Sequence, residues 1–377
     1  MNKISRSSQP HPWQQLGCAF LMISGSFLLV GGFYFFMIDG DETSPSVYEV
    51  YLADLNGDTH LDAFVIYLNE MQRVMLNDGQ GHFVTDRELL MFNYVMALGD
   101  INGDGQLDAI LKPSLECKTT APDLVVDDPL DSESLQAFAM QDRNRDGIPE
   151  AFVGGCCRHT TTLISRGEFT GGSSCLGTQT ANAVALADLN GDGALDAFLA
   201  NGTVYLDEDK KVQRDRSNEV WFNDGAGKFY DSSQRLGSAE SYAVGLGDVN
   251  GDGFTDAVVG NQGPGEIWLN DGLGNFTSSG QRLGSGLTDF IFLADLDGDR
   301  DPDLFAGDET SGWVWLNDGS GFFQRGQHIR YGRKSAVALG DVTGDGVVDV
   351  FIANVESYQV WYGDGSGRFS AAPRNSQ

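Results

Sequence analysis

The chain has 377 residues and a formal net charge of −30, with 54 Asp and Glu against 24 Lys and Arg. That balance excludes a nucleic-acid binder, which needs the opposite sign, and opposes a polyanionic partner held without metal. Glycine, at 49 residues, is about twice its usual share, yet 41% of the chain is hydrophobic, a pairing that reads as many short strands and tight turns.

Residues 1–15 are polar and carry Lys3 and Arg6. Residues 16–38, LGCAFLMISGSFLLVGGFYFFMI, contain no charge. As a helix these residues would span roughly 35 Å, enough for a bilayer core of about 30 Å. Asp39, Asp41 and Glu42 follow at once. Cations before the run and acids after it place the N-terminal stub in the cytoplasm and the remainder outside. The reading is an uncleaved signal anchor over 16–38 and a short linker over 39–46. The alternative is a cleaved signal peptide and a secreted product, but the run is long for that and ends in poor cleavage chemistry.

Beyond the linker one acidic loop recurs seven times. It appears first as DLNGDTHLD, with candidate metal ligands Asp54, Asn56, Asp58 and Asp62. DINGDGQLD offers Asp100, Asn102, Asp104 and Asp108, and DRNRDGIPE offers Asp142, Asn144, Asp146 and Glu150. DLNGDGALD offers Asp188, Asn190, Asp192 and Asp196, with the Ala194 carbonyl as a fifth oxygen, and DVNGDGFTD offers Asp248, Asn250, Asp252 and Asp256. DLDGDRDPD offers Asp295, Asp297, Asp299 and Asp303, and DVTGDGVVD offers Asp341, Thr343, Asp345 and Asp349. Successive loops start 46, 42, 46, 60, 47 and 46 residues apart. A period near 46 suits a unit of four short strands.

A second motif completes the unit. LNDGQGHF at Leu76 returns as FNDGAGKF at Phe222, LNDGLGNF at Leu269, LNDGSGFF at Leu316 and YGDGSGRF at Tyr362. Asn, Asp and Gly tolerate positive φ, so these segments predict tight hairpins. The fourth unit then reads as four strands: AVALAD, DAFLAN, EVWFND and KFYDSS. The inner pair is nearly all apolar, as strands covered on both faces should be.

These loops and W-x-N-D-G-x-G-x-F hairpins resemble FG-GAP/VCBS repeats, the calcium-binding repeats of integrin-α-type β-propellers. The resemblance covers about residues 47–372, leaving 373–377 as a tail. It implies an all-β, seven-bladed propeller of four-stranded blades, with the calcium loops on one face and ligand binding often on the other. EF-hands are set aside because a strand, not a helix, follows each loop and no Glu stands at position 12.

The loop chemistry calls for calcium, which takes six to eight oxygen ligands, with up to seven ions bound, one per unit. Positions 1, 3, 5 and 9 give side-chain oxygens and position 7 a carbonyl. Carboxylates about 4 Å apart repel by roughly 4 kcal/mol per pair at an effective dielectric of 20. A dication removes that cost and stabilises the fold by mass action. Magnesium, with its smaller octahedral shell, is second choice. The loops hold 22 of the 54 acidic residues, so much of the net charge is accounted for. Departures stand at Thr59, Arg145, Arg300 and Thr343.

Units two and three lack the second hairpin, and they hold Cys117, Cys156, Cys157 and Cys175. Outside the cytoplasm these are disulfide candidates, Cys117 with one of the adjacent pair and Cys175 with the other. The irregular segments of units two to four are the expected partner surface, for a protein or a glycan. Trp221, Trp268, Trp315 and Trp361 recur at one repeat position and read as packing between units, whereas Trp313 and Tyr358 lie off it and are freer to stack on a sugar. Asn201-Gly-Thr203 and Asn275-Phe-Thr277 are glycosylation sequons.

No nucleophile elbow, zinc-protease or phosphate-loop motif is present. The expected function is a membrane-anchored, calcium-stabilised adhesion or interaction module without catalysis. The alternatives are an accessory subunit of a larger membrane complex and, behind it, a propeller lyase or glycosidase, with Arg158 and His159 as the first residues to check.

Overall fold

The computed structural model describes residues 47–67, 71–90, 94–99, 108–112, 117–118, 135–141, 150–155, 162–165, 168–169, 181–202, 216–225, 228–333, 335–355, 357–372 and 375–376. The anchor stretch 16–38, the second and third acidic loops apart from their last residues, Arg158, His159, Cys156, Cys157 and Cys175 lie outside them. The disulfide expectation lies outside with these cysteines, and Cys117 is placed only as the start of a short strand.

Among the described residues all regular structure is β, arranged as seven antiparallel sheets in chain order. Five are four-stranded meanders in which each strand pairs with the next. The second has three strands, and the seventh adds Asn375–Ser376 beside its third strand, Ser357–Gly363. The fourth sheet is typical: Ala181–Ala187, Asp196–Asn201, Asn218–Asn223 and Phe229–Leu236. These are the four strands expected from its sequence.

Residue type explains the burial gradient across each sheet. Asp196–Asn201 is buried at all six positions, as its apolar DAFLAN sequence requires. Phe229–Leu236, with FYDSSQRL, buries only its two ends. The first strands gather at the centre: Ala181–Ala187 lies against Leu135–Gln141 on one side and Ser241–Gly247 on the other, and the latter against Phe290–Ala294. Val47–Ala53 of the first sheet lies against Ala336–Gly340 of the seventh.

Neighbouring sheets share apolar cores face to face. Phe198, Val220, Val244 and Phe276 join the fourth and fifth sheets, and Ile267, Ile291, Trp315 and Phe323 the fifth and sixth. Phe292, Phe305, Val337 and Ile352 join the sixth and seventh. Val50, Tyr67, Phe83, Phe351 and Tyr358 join the seventh to the first. Each fully buried aliphatic or aromatic side chain contributes about 1.5–3 kcal/mol. The result is a β-propeller-like array whose first and seventh sheets meet.

Candidate metal loops and the junctions they brace

Each described acidic loop connects the first two strands of its sheet and is wrapped around its own carboxylates. In the fourth unit Asp188 Oδ1 accepts the N–H groups of Gly191 (2.7 Å) and Asp192 (3.1 Å), and Oδ2 accepts that of Gly193 (2.9 Å). Asn190 Oδ1 accepts Asp192 N–H at 2.9 Å, and Asp192 Oδ1 accepts Ala194 N–H at 2.8 Å. Asp54, Asp248 and Asp341 hold their loops in the same way. Short polar side chains that take local N–H groups suit such turns.

Position 9 does something different. Asp196, wholly buried, accepts Leu189 N–H at 3.0 Å on one oxygen and Asn223 N–H at 2.8 Å on the other. The first bond closes the loop and the second ties it to the hairpin of the same sheet. Asp62, Asp256, Asp303 and Asp349 repeat the arrangement.

Electrostatics at this position favour a counter-charge. Burial pushes the carboxyls of Asp196, Asp256 and Asp349 up to about 6, and the acids at positions 5 and 1 push the same way. Asp303 is pushed by burial to about 7, with the Asp297 and Asp299 charges adding to it. Asp62 is raised for the same reasons. Two N–H bonds per carboxylate offset only part of the cost of burying it.

The residues fit a hard divalent cation most clearly in the sixth unit. Carboxylate oxygens of Asp295, Asp297 and Asp303 all lie within 4.8 Å of one another, the one such group among the described residues. Every donor there is a carboxylate oxygen, the ligand type that calcium and magnesium take. In the first, fourth and fifth units the position-3 Asn instead donates its amide to the position-5 acid, as Asn190 does to Asp192 at 3.0 Å. In the seventh, the Thr343 hydroxyl lies 3.4 Å from Asp341 Oδ1 and 3.3 Å from Asp349 Oδ2. In the sixth unit Asp297 thus adds a third carboxylate to the group, whereas Asn56, Asn190, Asn250 and Thr343 hydrogen-bond to neighbouring acids. Of the second- and third-unit ligands only Asp108 and Glu150 are placed, as the first residues of strands.

The loops are also joined from sheet to sheet. Asn270, in the fifth-sheet hairpin, donates its amide to Thr255 O (3.0 Å) in its own loop and to Leu189 O (2.8 Å) in the fourth-sheet loop. Asn317 reaches Val249 O at 2.8 Å, and Asn77 of the first sheet reaches Val342 O of the seventh at 2.8 Å. The seventh hairpin has Gly363 in place of that Asn, because a Cβ there would run into the Val348 carbonyl. Gly367 N–H takes over, donating to Leu296 O at 2.9 Å.

Glutamines make a second set of junctions. Gln281 accepts Phe323 N–H at 3.0 Å and donates to Phe323 O at 2.6 Å, imitating a strand pair between the outer strands of adjacent sheets. Gln234 does the same with Phe276 N–H and Gly274 O, and Gln327 with Phe369. The signal was present in the sequence as SSQRLG, SGQRLG and RGQHIR, one per unit.

The aromatic expectations divide. Trp315 is buried in the core between the fifth and sixth sheets. Tyr358 is not a free stacking platform: it is 4% exposed and packed against Phe83 and Phe351. Trp313 is half-buried and stacked on His328, with centroids 4.1 Å apart and planes 9° from parallel. Of the two sequons, Asn201 is buried and bonded to Ser217 O, whereas Asn275 is exposed.

A family model described as an FG-GAP-like repeat matches residues 38–111, 248–306 and 295–352. No curated protein matches the chain. Among solved structures, an Agrocybe aegerita lectin described as recognising non-reducing terminal N-acetylglucosamine is 17% identical with a TM-score of 0.53, covering 80% of this chain and 87% of the lectin. BBS1N in complex with ARL6DN is 10% identical with a TM-score of 0.58, over 87% and 92% of the two chains. A protein of unknown function from Desulfotomaculum acetoxidans is 12% identical with a TM-score of 0.51, over 81% and 92%. At these identities the likeness is one of fold.

Proposed function

Because the chain is an FG-GAP-repeat protein, we propose that it acts as a calcium-stabilised, seven-bladed propeller tethered to the outer side of a membrane, where it binds a protein or a glycan. The observation that carries this reading is the coupling of loop to junction. Among the described residues, the loops of the first, fourth, fifth, sixth and seventh units are bonded to their own hairpins through position 9 and, at the Asn77, Asn270 and Asn317 junctions, to the hairpin of the following sheet. An ion in the loop would stiffen the contact between two blades and not merely occupy one turn. Asp295, Asp297, Asp299 and Asp303 would hold the strongest ion, and its chemistry would be charge neutralisation.

Tethering is supported by the sequence of 16–38, and the direction of the first strand sets which face would look outward. Val47–Ala53 runs towards its acidic loop, so the chain enters at the opposite edge of the array. Eight linker residues reach at most about 28 Å. The loop face would then point away from the bilayer.

The experiment is a melting curve of the full chain in mild detergent, with calcium and with chelator. Calcium should raise Tm in a concentration-dependent way, and magnesium less so. An unchanged melt would remove the calcium part of the reading. Purification from native membranes tests the rest: a stoichiometric companion would favour a subunit of a larger complex over a free-standing module.

A further inference from the structure

In three of the described sheets the outer strands carry an arginine–carboxylate pair. In the first sheet it is Arg73–Glu88 at 3.1 Å, and in the fifth Arg282–Glu266 at 3.0 Å. In the fourth, Arg235 takes Asp231 at 2.7 Å. Each guanidinium has its carboxylate, as an acidic protein would be expected to arrange.

The sixth sheet differs from these three. There Ser311, Trp313 and Trp315 stand opposite Arg330, His328 and Arg325. Where the fifth sheet has Glu266, the sixth has Trp313, and no carboxylate replaces it. Arg325 and Arg330 are exposed and form no ion pair among the described residues. The Arg325 Cζ lies over Trp313, 4.3 Å from the ring centroid, and 5.9 Å from that of Trp315. A bulge between Trp313 and Trp315 brings Arg325 and His328, three residues apart, onto this same face.

Resting on the reading of the protein as a binding module, we propose that this face of the sixth sheet is a binding site for a saccharide bearing a single carboxylate. A guanidinium laid on an indole is fixed before any ligand arrives, so little entropy is lost when a planar carboxylate takes its two N–H edges. Burial and the charges of Arg330 and Arg325, opposed by the Asp308 carboxylate, hold the His328 imidazole below its usual range, leaving a neutral ring with one donor and one acceptor for hydroxyl groups. The half-buried indole edge supplies the apolar surface on which the C–H face of a sugar ring can pack. The ligand should carry one charge and not many, because the −30 chain opposes a polyanion while the local stripe is positive.

The test is calorimetric titration of the full chain in detergent with saturating calcium. The probes are a sialic-acid-terminated and a glucuronate-terminated trisaccharide, with the neutral parent sugar as control. At least one acidic sugar should bind ten-fold or more tightly than the neutral one, and more weakly as salt is added. Arg325→Gln, an exposed substitution, should abolish that preference, and Trp313→Ala should weaken both sugars. Arg282→Gln, on the neighbouring sheet, should change neither. Equal binding of acidic and neutral sugars, no binding of any, or a preference that survives Arg325→Gln overturns the proposal. The calcium-dependent melt reads the scaffold separately, so loss of this site would leave that reading standing.

Discussion

The hydroxyl of Tyr358, in the seventh sheet, accepts the main-chain N–H of Phe83, in the first, at 2.9 Å. At three other junctions a glutamine makes this bond to the corresponding Phe. The seventh sheet's fourth strand, Phe369–Ala371, is too short to carry one. A tyrosine on the third strand reaches across instead, inside a cluster with Phe83 and Phe351 whose centroids are 4.7–5.6 Å apart.

Tyr358→Phe should therefore weaken the seam between the seventh and first sheets while keeping the aromatic packing. It strands a buried N–H, at a cost of about 1–3 kcal/mol. The melting temperature in calcium should fall by several degrees. Proteolysis at fixed temperature should become faster at both ends of the propeller. An unchanged melt would mean that the packing of the three rings alone holds the seam.

Asn270→Ala is expected to cost more than Tyr358→Phe. Its side chain donates to two loop carbonyls and accepts the N–H groups of Gly272 and Gly274. Losing several bonds at a buried position should cost about 2–4 kcal/mol. The useful readout is calcium affinity in the Asn270→Ala variant. If the fourth loop is braced by this side chain, part of the calcium-dependent gain in Tm should disappear, whereas an equally destabilising core variant such as Val258→Ala should keep it.

The repeat, the four strands set out for the fourth unit and the hairpins were legible in the sequence because each rests on local chemistry. DAFLAN can only be a covered strand, and NDGxG can only turn. What crosses from sheet to sheet was legible only in part: the repeated tryptophan position read as packing between units, and Trp315 lies there, but the polar junctions did not show. Asn270 read as a turn former, yet half of its bonding is to other elements. Tyr358 read as free because it stands off the repeat, and it stands off for a structural reason, the truncated last strand. The candidate sugar face was hidden similarly. Trp313 was visible, but the meaning of its neighbours appears only when Glu266 and Arg282 are seen paired at the same place one sheet earlier.

Chelated protein should lose stability as pH rises from about 4 to 7. Folding raises Asp303 to about 7 and Asp196, Asp256 and Asp349 to about 6, from 3.8. In that window the folded chain holds more protons than the unfolded one, so raising pH favours unfolding, and the trend levels off above pH 7. Calcium should reverse the slope, because it binds the deprotonated carboxylates and protons compete with it below pH 6. Melting curves at half-unit pH steps, with and without calcium, give the two slopes. A chelated protein that becomes steadily more stable up to pH 7 would show that these acids are neutralised within the chain.

Position 6 of the loops offers a test of backbone strain. Gly193 and Gly253 have φ of 86° and 87°, and Arg300 and Thr59 reach 80° and 75° in the same place. A side chain in that region costs about 1–2 kcal/mol, offset by roughly 0.4–1 kcal/mol because glycine is freer in the unfolded chain. Arg300→Gly and Thr59→Gly should thus be neutral to stabilising by up to about 1 kcal/mol. Gly253→Ala should be destabilising by about the same amount, with no steric contribution, since nothing lies within 4 Å of its added Cβ. Arg300→Gly also removes a cation beside the group formed by Asp295, Asp297 and Asp303, so its calcium affinity should rise while that of the Thr59→Gly variant, which changes no charge, should not. The comparison separates the two effects: a gain in chelator reports the backbone, and a further gain in calcium reports the charge.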